Sequence, residues 1–140
     1  MTTRTLRDGL RAAVPAAVFS GLPSTLYALA TRRDALEATA AAGSILLPNE
    51  TRRARLLLAA VPTHLALSVA WSIALAAVLP RRRPTIEGTI AGLGIAALDL
   101  GLVGSRHPRI RALDAVPQVA DHIAFGILVA RRLALANRTM

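Results

Sequence analysis

The chain has 140 residues, enough for one domain, with 54% hydrophobic residues, only 3% aromatic residues and a mean hydropathy of +0.48. A water-soluble core of this size needs large side chains, whereas a composition dominated by Ala, Leu, Val and Gly favours helices that pack closely in lipid. The net charge of +9 arises from Arg alone, in short clusters between apolar runs, which is typical of the flanks of membrane spans and disfavours a nucleic-acid-binding face. There is no Cys, which excludes disulfides and thiolate chemistry.

These features predict an all-α integral membrane protein, a four-helix bundle that forms a single transmembrane domain over residues 1–140. A span needs about 20 mostly apolar residues. We therefore expect spans at about residues 12–31, 56–79, 85–104 and 114–131. The expected location is the cell (inner) membrane of a bacterium, with several passes; the Arg-only, Ala-rich usage is associated with bacterial genomes rich in G and C.

The first span contains helix-disturbing residues, namely Pro15, Gly21 and Pro23. Pro is tolerated in a span when neighbouring helices satisfy the freed carbonyls, so we expect a helix kinked near Pro23. The alternative is a signal peptide cleaved after Ala30, since the basic start and the Ala28-Leu29-Ala30 sequence resemble a cleavage region. The interruptions by Pro and Gly favour a retained span.

Residues 34–47 have high helix propensity but are too few to cross a bilayer. They predict a short interfacial or re-entrant helix.

Basic residues close the later spans. Arg81, Arg82 and Arg83 lie in a rigid turn between Pro80 and Pro84, which makes the second and third spans antiparallel neighbours. Arg131 and Arg132 end the fourth span. Because Arg extends to the headgroup layer and pairs with phosphate, we predict that these five residues anchor the protein to lipid headgroups.

Orientation normally follows an excess of Arg on one side, but here the clusters divide almost evenly between the two sides of a four-span chain. Two interpretations remain. One dominant helix sets a single orientation, or copies insert both ways and pair as an antiparallel dimer.

Titratable side chains inside spans are costly and are therefore candidates for function. Here they are His64, Asp99, Asp121 and His122. At a rise of 1.5 Å per residue they lie within about 7 Å of the centres of their spans, in the same half of the bilayer. Gln118 shares a helix face with Asp121 and His122, and Ser68 lies one turn after His64. These residues predict an intramembrane polar cluster.

The faces of two helices refine this prediction. Gly88, Gly92, Ala96 and Asp99 form one stripe, so Asp99 should lie on a small-residue face that packs against a neighbouring helix. Trp71 lies in the middle of its span, where we expect it to serve packing.

The cluster allows two roles, interhelical hydrogen-bonded packing or a proton, ion or polar-substrate path. A metal site on the same residues is less favoured because no pair has a recognised ligand spacing, and the usual enzyme motifs are missing from the sequence. We therefore expect no metal, no cofactor and no catalytic residue. The sequence favours a non-enzymatic accessory or envelope component that contacts membrane lipid, as a homo-oligomer or in a larger membrane complex, without nucleic acid. The alternative is a small proton-linked transporter or channel that acts as an oligomer through its Asp/His cluster.

Overall fold

The computed structural model describes residues 2–138, in which helices are joined by short turns and loops and no strand occurs. In chain order the α-helices are α1 (Thr3–Phe19), α2 (Leu22–Ala30), α3 (Glu37–Leu46), α4 (Arg53–Val78), α5 (Pro84–Ala96), α6 (Pro108–Arg111) and α7 (Ala115–Arg138). The expected all-α architecture is confirmed for these residues, and the expected short helix is present as α3.

The first apolar stretch is two helices with a break at Ser20–Gly21. α1 begins earlier than predicted because the Thr2 hydroxyl accepts a hydrogen bond from the Thr5 amide at 3.1 Å and caps the helix. We expected a kink near Pro23, and the helix breaks just before it, at Ser20–Gly21, rather than at Pro23 itself. Pro23 is the second residue of α2, where a missing N–H leaves no intrahelical bond unmade.

The third apolar stretch departs from α-helical geometry. α5 ends at Ala96 and continues as a seven-residue π-helix, Ala97–Val103, followed by a 3₁₀ turn, Gly104–Arg106. The Gly104 amide donates to the Asp99 carbonyl across the wider turn. Asp99 therefore lies in irregular helix, where the sequence predicted a regular one.

Helix α7 is the centre of the fold and packs against α5, α1 and α2. Glycines allow the closest approach: a Cβ built on Gly88 would lie 2.6 Å from the Ile127 Cα, and one on Gly92 2.6 Å from the Ile123 Cα. The predicted small-residue face of α5 thus packs against the backbone of α7.

Ion pairs show which ends of the helices lie together. Arg81, in the turn between α4 and α5, contacts the Asp8 carboxylate of α1 at 3.4 Å. At the other end Arg33 pairs with Asp114, and Arg109 lies 3.3 Å from Glu37. The long helices therefore run alternately up and down.

Three helical stretches within residues 2–138 are long and apolar enough to cross a membrane: Thr3–Ala30, Arg53–Val78 and Pro84–Arg106. α7 is not among them. The chain is thus compatible with a membrane protein, and the three stretches coincide with the first three expected spans.

Candidate functional site

A cavity of about 690 Å³ lies between the helices, within the range of small-molecule sites. Every residue of the predicted polar cluster lines it: His64, Ser68, Asp99, Gln118, Asp121 and His122. Aliphatic side chains supply most of the remaining wall. The structure therefore brings together side chains that the sequence placed on three separate helices.

Asp99 and His122 form the centre of the cluster. The His122 Nε2 lies 3.4 Å from the Asp99 Oδ2, and its Nδ1 lies 2.7 Å from the backbone carbonyl oxygen of Gln118. A carbonyl only accepts, so Nδ1 carries a hydrogen. The contact with Asp99 then holds one further proton, either as imidazolium and carboxylate or as imidazole and carboxylic acid. Gln118 thus contributes through its backbone.

Trp71 also contacts this pair, because its indole Nε1–H donates to the Asp99 Oδ2 at 3.3 Å. The sequence assigned Trp71 to packing alone. The N–H of a buried indole usually finds a hydrogen-bond acceptor. In the sequence, the only indication of this contact was that Asp99 is the nearest carboxylate on a neighbouring expected span.

The break between α1 and α2 opens into the same cavity. Helix ends leave backbone groups without intrahelical partners. The Asp121 Oδ1 accepts a hydrogen bond from the Ser24 amide at 2.8 Å, in the first turn of α2. The His64 Nε2 contacts the carbonyl oxygen of Ala17, in the last turn of α1, at 2.8 Å. Two of the predicted titratable residues therefore satisfy the backbone of an interrupted helix.

Ser24 and Ala17 were not predicted, because each contributes a backbone group. Only the Gly21-Leu22-Pro23 sequence, which favours a helix start, indicated where such groups would occur.

The π-helix is the second irregular element at the cavity, since Asp99, Leu100 and Val103 all line it. π-helical turns in α-helices occur frequently at functional sites. Irregular backbone at membrane depth is tolerated where it lines a cavity or is buried in protein. Both interruptions of the apolar helices therefore coincide with the polar cluster.

Helix α3 closes one end of the cavity with a single face, formed by Ala38, Thr39, Ala42 and Ile45. The Arg53 Nη2 donates to the Asp34 Oδ1 at 2.7 Å, just before α3. This hydrogen bond, helped by one from the Leu36 amide, lowers the pKa of the Asp34 carboxyl. An ion pair between Arg109 and Glu37 joins α3 to α6.

The predicted headgroup anchors lie outside the cavity. Arg82, Arg83, Arg131 and Arg132 are exposed, and their contact with lipid stays a prediction. Arg81 differs from them: its side chain is only 13% exposed, contacts Asp8 and donates to the Ala76 carbonyl at 2.9 Å.

Within residues 2–138, no group of three or more His, Asp or Glu side chains is arranged to hold a metal ion. No family model matches the chain, and neither a curated protein nor a solved structure matches it. The site's geometry is therefore the basis for any functional assignment.

Proposed function

We propose that this chain is a small, non-enzymatic, multi-pass protein of the bacterial cell membrane that works as a proton-linked transporter or channel and conducts protons through its Asp/His cluster. The cavity at the interrupted first span carries the proposal. In this arrangement Thr3–Ala30, Arg53–Val78 and Pro84–Arg106 cross the membrane, and α7 crosses as the fourth span. Because α7 is enclosed by α1, α2 and α5, it needs less apolar surface than a helix that faces lipid.

Interrupted helices are a device that transporters use at their binding sites, since freed backbone groups there can bind a solute or be released. Here the Asp121 carboxylate occupies the N-terminus of α2, where the helix dipole favours a negative charge. Protonation of Asp121 removes that charge and weakens its hold on the Ser24 amide. The other titratable groups that line the cavity are His64, Asp99 and His122.

The Asp99–His122 pair supplies a second place where a proton is held or passed on. Its extra proton lies between two helices, in contact with the π-helix that carries Asp99. A change in its protonation state therefore alters the contact that joins the end of the third span to α7. This is the kind of element that couples a proton to a movement of helices.

The experiment is a proton-flux measurement on the full chain in liposomes loaded with a pH-sensitive dye, with valinomycin and potassium to remove the membrane potential. A pH step should produce faster acidification than in protein-free liposomes. Asp99→Asn and Asp121→Asn should each reduce the rate to that of protein-free liposomes. Asp114→Asn is the matched control, since Asp114 pairs with Arg33 outside the cavity, and it should keep the flux.

Wild-type protein without flux, or flux that persists in both cavity variants, would overturn the assignment. Helix content and monodispersity of each variant establish that it has folded.

A structural role within a larger membrane complex is the second candidate, favoured by one observation. Asp99 and His122 join the third span to α7 next to the close contact of Gly92 with the backbone at His122 and Ile123. In that role the pair is interhelical packing, on the order of 0.6 kcal/mol. The double variant Asp99→Asn with His122→Gln would then lower the melting temperature slightly and leave assembly intact.

A further inference from the structure

We propose that the cavity binds an organic cation with an apolar body. This names the substrate class of the proposed transporter and so rests on the proposed function. The argument uses the charges, the aromatic side chains and the volume of the cavity.

The charge of the cavity is opposite to that of the protein. The chain has 17 basic residues, all Arg, and a net charge of +9. None of the described residues that line the cavity is an Arg, whereas Asp99 and Asp121 both line it. The Asp99–His122 pair, with its one further proton, is neutral overall, so the Asp121 carboxylate makes the cavity negative, and the cavity attracts a cation and repels an anion. Low-dielectric walls strengthen both effects.

Few hydrogen-bond donors contact the carboxylates of Asp99 and Asp121. Asp121 accepts the Ser24 amide, and Asp99 contacts Trp71 and His122. A carboxylate has about four acceptor positions, so each retains capacity for an ammonium or for the positive field of a quaternary cation. Ser24 contacts Asp121 through its amide and its side chain, and the remaining acceptor positions of the carboxylate face the cavity that Asp121 lines.

Aromatic side chains add affinity for the same ligand class. Trp71 and Phe125 both line the cavity, and the hydrogen bond from the Trp71 indole holds its ring beside the Asp99 carboxylate. Aromatic faces attract cations through their quadrupoles, and Trp does so best. An aromatic ring next to a carboxylate, in a chain with only 3% aromatic residues, is a combination that recognises organic cations.

The rest of the cavity selects an apolar body. Leu65, Leu100, Ile95 and the aliphatic face of α3 line it, and its volume of about 690 Å³ exceeds what an inorganic ion would need. A small metal ion would also lack ligands, because no suitable group of three occurs in residues 2–138.

Trp71 is the single Trp of the chain and reports directly from the cavity. The test titrates the full chain in detergent micelles with tetraphenylphosphonium, and separately with tetraphenylborate, which has nearly the same shape and the opposite charge. We expect saturable quenching of the Trp71 emission by the cation and only the non-saturating background of the micelle with the anion. N-acetyltryptophanamide in the same micelles measures that background.

Asp121→Asn should weaken the affinity for tetraphenylphosphonium at least about tenfold, because it removes the negative charge that the Asp99–His122 pair does not compensate and keeps the acceptor for Ser24. Asp114→Asn is the control with an unchanged dissociation constant. Equilibrium dialysis with radiolabelled tetraphenylphosphonium gives the same comparison without relying on Trp71.

Equal binding of both ions would show an apolar cavity without charge selection and would overturn the proposal. So would binding of the anion alone, binding of neither ion, or an unaltered affinity in Asp121→Asn. Cation binding without proton flux would contradict the proposed transport and leave this inference standing. Proton flux without cation binding would contradict this inference and leave the proposed transport standing.

Discussion

The Asp121 Oδ1 lies 2.8 Å from the backbone nitrogen of Ser24, so a side chain of the last helix holds the first turn of α2. On the other side of the break, the His64 Nε2 lies 2.8 Å from the Ala17 carbonyl oxygen, in the last turn of α1. An interruption inside lipid costs several kcal/mol for each backbone group without a partner. Two titratable side chains therefore stabilise the interruption of the first apolar stretch.

Two substitutions at Asp121 separate hydrogen bonding from charge. Asp121→Asn keeps an acceptor for the Ser24 amide, so we expect a melting temperature close to that of the wild type together with a loss of proton flux. Asp121→Ala leaves a part-buried amide without its partner and should cost about 1–3 kcal/mol of unfolding free energy. Thermal unfolding in detergent, followed by circular dichroism, measures the difference. Equal stability of the two variants would contradict a stabilising hydrogen bond from the Ser24 amide to Asp121.

His64 allows the same comparison at the end of α1. His64→Gln retains an N–H donor for the Ala17 carbonyl and cannot titrate, whereas His64→Leu removes the donor. We expect His64→Leu to be less stable than His64→Gln by about 1 kcal/mol, the usual value of one hydrogen bond. Unfolding curves for the two variants give this number. A more stable Leu variant would show that the hydrogen bond contributes nothing.

The polar cluster was predictable because charged side chains inside apolar helices are rare and their depth follows from helical rise. Asp99 and His122 are an example. The sequence assigned both to the same half of the bilayer, and the structure places them in contact. The stripe of Gly88 and Gly92 likewise identified the face of α5 that packs against α7.

The partners of the cluster were less predictable. Ser24 and Ala17 participate through backbone groups that become available only because the first span breaks at Ser20–Gly21. Pro23 led us to expect the kink close to itself, whereas Pro23 lies in the first turn of α2. The π-helix at Asp99 has no sequence signature, because a one-residue widening of a turn leaves hydropathy almost unchanged.

The close contact of α5 and α7 predicts different outcomes for two neighbouring glycines. A Cβ on Gly92 would lie 2.6 Å from the Ile123 Cα, which requires the helices to separate, while a Cβ on Gly94 meets nothing within 4 Å. We expect Gly92→Ala to destabilise the protein by about 1–3 kcal/mol. Gly94→Ala should be neutral or stabilising by up to about 1 kcal/mol, since Ala favours helix.

Melting temperatures of the two glycine variants check this prediction. Similar values for both would mean that the two helices are not in close contact.

The Asp34–Arg53 hydrogen bond predicts a pH dependence at the end of the cavity. The hydrogen bond from Arg53 lowers the pKa of Asp34 in the folded protein. The pair therefore stabilises the fold above the carboxyl's ordinary pKa, and this contribution is lost as the pH falls through the lowered folded value. Asp34→Asn should lower the melting temperature at neutral pH, and the difference from the wild type should disappear as the pH falls through the lowered folded pKa of Asp34. Thermal unfolding of both proteins across pH measures it; a difference that persists in acid would exclude the carboxylate as the cause.

The pairing of the helix ends predicts the membrane topology. Asp8 contacts Arg81 at one end of the bundle, and Glu37 contacts Arg109 at the other. With α7 as a fourth span, the C-terminus lies on the same side as the turn at Arg81, opposite to residues 47–52. With three spans, the C-terminus lies on the side of Arg109.

Reporters that are active only in the cytoplasm or only outside it, fused in turn at the α4–α5 turn and at the C-terminus, distinguish these arrangements. We expect the two positions to report the same side of the membrane, because the ion pairs place the start of α7 at the end of the bundle opposite to the α4–α5 turn. Opposite sides for the two positions would leave α7 outside the set of spans. Signal from both reporters at the same position would reveal copies inserted in both directions. The nearly even distribution of Arg would then reflect an antiparallel dimer, and the cavity would have to be accessible from either side of the membrane.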